Sequence, residues 1–287
     1  MAYRFQRGEP VPEGTRRIAR EQLQGAIDSL GRKAKRDEAI HDARKRIKKT
    51  RALLRLVKPE LGEFYAAGNT RLRDAGRALS EFRDAAAVIE TFDQLREKYR
   101  DELGKRALDS VRRALLLHKA RTERKAGMDE ALHKIASTLA ESAKRVDKWP
   151  LSTNGFPAIG PGLVQTFRRG RKAMAIAARH PLPENFHEWR KRVKDHWYHI
   201  RLLEDIWSDV MGGFANSLKQ LEDWLGTHHN LEVLRGKVNG EATLLHLIDR
   251  YQKELRECAL EMGQRIYLEP PSRFGSRMAR LWDAWQR

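Results

Sequence analysis

The feature that most constrains the fold is a nine-residue pattern that occurs twice. Ile40-His41-Asp42-Ala43-Arg44-Lys45-Arg46-Ile47-Lys48 returns as Phe186-His187-Glu188-Trp189-Arg190-Lys191-Arg192-Val193-Lys194. The two histidines are 187 − 41 = 146 residues apart, about half of the 287-residue chain. The same shift carries Leu72 onto Leu218, Leu79 onto Leu225 and Val88 onto Leu234, and sets Arg83-Asp84 against His229-Asn230 without a gap. It also sets Gly127-Met128 against Arg273-Phe274. A register held over so many segments predicts one structural unit built twice.

The period of the apolar residues says what that unit is made of. Ile18, Leu23, Ala26, Ile27 and Leu30 predict a helix over 16–30 with Thr15 as its cap, and a second helix runs from Asp37 to Val57, stopped by Pro59. Leu72, Ala75, Leu79, Phe82 and Val88 predict a third from Gly68 to Leu95, broken or bent around Arg83 and Asp84. Tyr99, Leu103, Leu108, Val111, Leu115 and His118 mark a fourth over 98–124, and Leu132, Ile135, Leu139 and Ala143 a fifth from Met128 to Val146. Prolines, glycines, Ser152, Thr153 and Asn154 then crowd into 149–162, a composition that breaks helices. The second half repeats the order, with helices over 163–179, 184–207, 214–238, 241–266 and 271–285. No β pattern of useful length occurs. The expectation is an all-α protein with one unit over 1–148, a connection over 149–162 and a second unit over 163–287.

Each copy of the repeated pattern separates into two faces when wound as a helix. Residues 40, 43, 47, 50, 54 and 57 share one face and are Ile, Ala, Ile, Thr, Leu and Val, a core stripe. About 100° round the helix lie His41, Arg44, Lys48, Arg51 and Arg55, a cationic rail about 21 Å long at 1.5 Å per residue. The second copy has Phe186, Trp189, Val193, His196, Ile200 and Leu203 on the core stripe. Its rail is His187, Arg190, Lys194, Trp197 and Arg201. The rails are unequal: 31–58 holds twelve Lys or Arg against three acids, whereas 184–205 holds five of each. Arg168, Arg169, Arg171 and Lys172 on the preceding helix supplement the second.

Charge narrows the partner. The formal net charge is +18, which calls for a polyanion: nucleic acid, an anionic membrane surface or a phosphate polymer. Evenly spaced cations on a rigid helix suit a ligand with evenly spaced negative charge. Arg adds forked hydrogen bonds to phosphate oxygens, and Lys acts as a point charge. Nucleic acid also rewards basic helices, so it stays open as the rival, lesser partner. One cysteine, Cys258, excludes an intramolecular disulfide and a multi-cysteine zinc site. With no apolar run resembling a signal peptide or a membrane span, the expectation is a soluble, cytoplasmic protein.

Other residue classes add little chemistry. His41 and His187 occupy the first turns of their helices and read as architectural residues packing those turns. His228, His229, His196 and His199 have metal-compatible spacings but no matching carboxylates, so no metal and no cofactor is expected. Trp189, Trp197, Trp207, Trp224, Trp282 and Trp285 read as packing residues. A Walker-type glycine loop and a Gly-x-Ser-x-Gly elbow are both missing. No catalytic constellation is legible, and the expectation is a protein that binds rather than turns over its ligand. A polyphosphate- or triphosphate-processing enzyme using His41 or His187 is the lesser alternative.

At the residue level, His-x-x-Arg-Lys-Arg-x-Lys-Lys-x-Arg from His41 and His-x-x-Arg-Lys-Arg-x-Lys from His187 resemble the signatures of the CHAD domain, the conserved-histidine α-helical domain. The resemblance covers nearly the whole chain. It implies two antiparallel four-helix bundles related by a pseudo-twofold axis, with inorganic polyphosphate bound along a basic central channel and an association with polyphosphate granules. Carried over by motif, the binding residues are His41, Arg44, Lys45, Lys48, Arg51 and Arg55, with His187, Arg190, Lys191, Lys194 and Arg201. Two departures stand out. The Arg-Asp-x-Asp-Val segment of that family is Arg83-Asp84-Ala85-Ala86-Ala87-Val88 here, without the second acid, and Trp197 stands where a cation belongs. The Glu-x-Glu-x-Lys motif of the triphosphate tunnel domains often joined to this family is missing, so a stand-alone binder is expected.

Overall fold

The computed structural model describes residues 3–32, 34–102, 105–125, 127–238 and 241–287, and within them all side chains but those of 81–84, 105–108 and 122–125. The helical elements are α1 (Val11–Gly31), α2 (Arg36–Leu56), α3 (Lys58–Leu61), α4 (Glu63–Lys98), α5 (Lys105–Lys125) and α6 (Met128–Lys144), followed by α7 (Phe156–Arg179), α8 (Pro183–Leu202), α9 (Ser208–Arg235), α10 (Ala242–Ile266) and α11 (Pro271–Gln286). Among the described residues there is no strand. The fold is all-α. Phe156, Pro183 and Ser208 open α7, α8 and α9, each within one residue of 146 positions after Val11, Arg36 and Glu63, which open α1, α2 and α4.

Packing follows the stripes read from the sequence. Ile40, Ala43, Ile47, Leu54 and Val57 of the first copy are buried, as are Phe186, Trp189, Val193, Ile200 and Leu203 of the second; Thr50 and His196 join them. The main apolar cluster draws on both halves, from Ile18 and Ile47 to Leu163 and Trp189. A second cluster joins Phe92 and Leu95 of α4 to Leu231 and Leu234 of α9 and Leu247 and Ile248 of α10. The contacts of α2 with α7 and α8, and of α4 with α9, hold the halves together. At their centre the buried His199 ring sets Nε2 2.8 Å from the Ala52 carbonyl oxygen, tying α8 to α2.

Several boundaries differ from the sequence reading, each for a local reason. Helix α1 starts at Val11, so Thr15 is a buried residue inside it rather than its cap. Helix α2 begins at Arg36, after Lys35 in the left-handed region (φ 55°), with Asp37 and Glu38 in the first turn, where carboxylates favour the positive end of the helix dipole. Helix α4 runs unbroken past 83–84. Leu103, and the side chains of Phe82, Arg83, Asp84 and Leu108, lie outside the described residues. The largest difference is α7, which begins seven residues before the expected start and includes Pro157, Gly160, Pro161 and Gly162. Pro157 sits in the first turn, where its missing N–H would have no partner anyway. At Gly162 a Cβ would lie 1.9 Å from the Leu56 carbonyl oxygen, so glycine is what lets α7 approach the end of α2. The glycines there serve helix contact rather than chain flexibility.

Candidate functional site

The rail of α2 and the rail of α8 converge. Lys48 and Lys194, which the 146-residue shift superposes, feel each other's charge, and Arg44 and Arg190, likewise related, add to the field on Lys48. Burial and these three cations together pull the Lys48 amine down to about 7. Among the described residues no carboxylate comes within ion-pair distance of Lys48. Taking a cation out of water without a partner is costly, so a site of this kind stabilises an incoming anion.

One acid answers the cluster, and it comes from α9. The buried Glu222 carboxylate accepts from Lys194 Nζ at 2.7 Å and Arg190 Nε at 3.3 Å, and Lys219 Nζ lies 3.9 Å away. Burial opposes ionisation of Glu222, but Lys194 and Arg190 outweigh it and hold the carboxyl down at about 2. Lys194 itself is lowered: burial is the largest cause, and Arg190 adds to it against the Glu222 charge. The position related to Glu222 in the first half is Gly76. Arg44 donates from Nη2 to Ser80 Oγ at 2.8 Å.

The remaining rail residues take separate roles. Arg51 donates from Nε to Asn69 Oδ1 at 3.0 Å; burial and Arg55 lower its guanidinium to about 10. Arg55 crosses between the halves to Asp195, with Nη1 3.0 Å from Oδ1. Arg201 pairs with Glu204 at 2.6 Å. Lys45 and Lys191 stand on the exposed sides of their helices and pair one turn back, Lys45 with Asp42 at 2.9 Å and Lys191 with Glu188. The second-tier cations Arg168, Arg169, Arg171 and Lys172 are all exposed on α7, and Arg169 alone of these lines a cavity with Arg55.

The histidines stand in different surroundings. His41 is exposed. His187 is half-buried and lies 4.1 Å, ring centre to ring centre, from His229. Burial, then Lys191 and Arg190, lowers the His187 pKa; burial and the His187 ring push His229 to about 4, so this pair is neutral at pH 7. His196 is fully buried among Phe167, Phe214 and Phe274, and burial pushes it to about 3. Among the described residues no three His, Cys, Asp or Glu cluster as a metal would require. Trp197 of the second rail lies beneath Lys219 Nζ, 5.7 Å from its ring centre, and Trp207, expected in the core, is 51% exposed beyond the end of α8.

Glu222, Ser80, Asn69 and Asp195 were not singled out from the sequence. Two of them had a signal in the repeat itself: the 146-residue shift sets Glu222 against Gly76 and Asp195 against Lys49, a new acid in the second copy each time. Ser80 and Asn69 are ordinary helix residues whose role depends on which face α4 turns to α2.

No helix among the described residues is long and apolar enough to cross a membrane. Curated proteins gave no match to this sequence. The solved structure of PptA from Streptomyces chartreusis is similar in fold, with a TM-score of 0.61 at 16% sequence identity, covering 91% of this chain and 100% of that one. The family model of the CHAD domain matches residues 17–239, most of the chain, including both copies of the repeated motif and the α9 segment that supplies Glu222. The chain belongs to the CHAD family.

Proposed function

We propose that the protein binds inorganic polyphosphate without turning it over, through the Arg and Lys residues of both rails. The observation that carries this reading is the convergence of Arg44, Lys48, Arg190 and Lys194, with Arg190 and Lys194 hydrogen-bonded to the buried Glu222. Four cations held together by the packing of two helices form a preorganised anion site, and the rails extend it in both directions along α2 and α8. A linear polyanion then replaces counterions along the track, each phosphate adding a salt-dependent increment. Membership of the CHAD family, whose domain is known in polyphosphate-associated proteins, supports the same ligand. Association with polyphosphate granules follows if binding is strong enough to hold the protein on them.

The test is a titration of long-chain polyphosphate at rising salt, with duplex DNA and RNA as competitors at equal phosphate concentration. We expect salt-sensitive binding that is lost when Arg44, Lys48, Arg190 and Lys194 are replaced by Asp, and weak competition by nucleic acid. Binding untouched by the fourfold variant overturns the site, and displacement by DNA or RNA overturns the ligand. Incubation of polyphosphate with the protein and Mg2+ or Mn2+ checks turnover. Orthophosphate release that disappears on replacing His41 and His187 would establish an enzyme instead.

A further inference from the structure

A cavity of about 310 Å³ opens beside the rails, where α2, α3, α7 and α8 meet. Its charged lining is Arg55, Lys58, Arg169, Arg192 and Asp195, with Tyr65 as an aromatic wall. Asp195 is engaged by Arg55 at 3.0 Å and Arg192 at 3.9 Å, and Arg192 also donates to Glu188 at 2.8 Å. Lys58 and Arg169 are exposed and have no carboxylate within ion-pair distance among the described residues; Lys58 Nζ stands 5.0 Å from the centre of the Tyr65 ring. Two unpaired cations thus face a pocket whose acid is already neutralised. Gln165 and Thr166 add neutral polar groups to the lining.

The repeat gives an independent view of the same place. The 146-residue shift takes Asp195 to Lys49, Arg55 to Arg201 and Lys58 to Glu204. There the chain fills the space with its own residues 3–5. Tyr3 donates its hydroxyl to the Lys49 carbonyl oxygen at 2.9 Å and lies beneath Lys49 Nζ, Arg4 pairs with Glu204 and Asp205, and the Phe5 amide donates to the Leu202 carbonyl oxygen at 3.0 Å. Tyr3 and Phe5 are buried. So one of two related positions is closed by polypeptide carrying a cation toward acids, and the other is open, with its cations facing solvent. Its volume is at the lower end of small-ligand sites.

Resting on the reading of the rails as a polyphosphate track, we infer that this cavity receives a terminal phosphate group, and so gives the protein a preference for phosphate chains with ends. A terminal phosphate carries more charge than an internal one and is met by Lys58 and Arg169, while Arg55 belongs to both rail and cavity. The same chemistry is offered by the end of a long chain and by a free oligophosphate.

The test compares linear tripolyphosphate with cyclic trimetaphosphate, which has three phosphates and no end, alongside long-chain polyphosphate and pyrophosphate. The 287-residue chain should bind the linear compound at least ~10-fold more tightly than the ring, and Lys58→Ala with Arg169→Ala should bring the ratio close to its charge-only value. Arg44→Ala should weaken both compounds and keep the ratio. Lys58 and Arg169 are exposed, so their loss leaves the core intact. Pyrophosphate competing with long-chain polyphosphate identifies the chain end as the ligand, and pyrophosphate bound without competition identifies a free oligophosphate. A linear-to-cyclic ratio near one, or one that the double variant leaves unchanged, overturns the inference even where long-chain binding is intact. Absence of long-chain binding instead overturns the reading of the rails.

Discussion

The rail on α2 and the rail on α8 have the same spacing and different charge balance. On α8, Arg190 and Lys194 are tied to Glu222, an acid with its carboxyl held at about 2 by the very cations it neutralises. On α2, Arg44 donates to Ser80, Lys48 has no carboxylate within ion-pair distance among the described residues, and the position matching Glu222 is Gly76. Asp195 similarly stands on α8 where α2 has Lys49, and it engages Arg55 of the first rail. A repeated helical pattern carries its face geometry with it. The ionic state of that face is set by what the neighbouring helix presents, and there the two halves differ. On the first rail, Lys48 is the cation with no carboxylate within ion-pair distance among the described residues.

The difference can be broken most severely on the first rail. Replacing Arg44 by Ala and Lys48 by Met should weaken long-chain polyphosphate binding by about 100-fold at low salt and flatten the log-log salt dependence by about 1.5, as expected for two lost phosphate contacts. The matching triple change on the second rail, Arg190→Ala, Lys194→Met and Glu222→Gln, removes one net charge instead of two and should cost about 10-fold on the same scale. Equal losses in the two titrations would show that the rails are equivalent after all.

Exchanging the single acid should sharpen the comparison. Gly76→Glu installs the second-rail acid on the first; a Cβ there meets only Ile47 Cγ2 at 3.5 Å, an ordinary contact. It should weaken polyphosphate binding by about 10-fold, of the order of one charge interaction at short range in a partly solvated site. Glu222→Gln should tighten binding by a similar factor. It should also lower the melting temperature of the free protein, because Arg190 and Lys194 lose their buried partner, and polyphosphate should restore it. Tighter binding from Gly76→Glu, or none from Glu222→Gln, contradicts the assigned role of the acid.

The smallest expected effect is that of pH. Burial and the neighbouring cations hold Lys48 at about 7, so it is charged below that value and neutral above it. A bound polyanion favours the charged amine, so the complex takes up protons on forming once pH exceeds about 7. Affinity should fall a few-fold as pH rises from 6 to 8.5, and calorimetry in buffers of different ionisation enthalpy should read the proton uptake. Lys48→Arg, which stays charged, should flatten the profile. A profile that is already flat in the unaltered protein removes Lys48 from the ligand contact.

Much of the site was legible because a helix turns spacing into direction. Once residues 40–57 were read as helical, Ile40, Ile47 and Leu54 had to share a buried face and Arg44, Lys48 and Arg55 a neighbouring one, and the structure places them so. The prolines and glycines of 156–162 misled because composition reports backbone freedom and not close contact: Gly162 is required by the Leu56 carbonyl that faces it. The repeat matches the sequence surroundings of His41 and His187 but not the residue opposite: His187 packs against His229, and the related position in the first half is Arg83.

The sequence by itself determined the helices, their order, the two stripes on each repeated helix and the demand for a polyanion, since these depend on residue period and summed charge. Tertiary structure alone decided that Lys48 and Lys194 converge, that Glu222 quenches one rail, and that residues 3–5 close one of two related cavities while the other stays open. Such outcomes rest on distances of a few ångströms between residues far apart in the chain. Coulomb and desolvation terms change over those distances, and no local pattern encodes them.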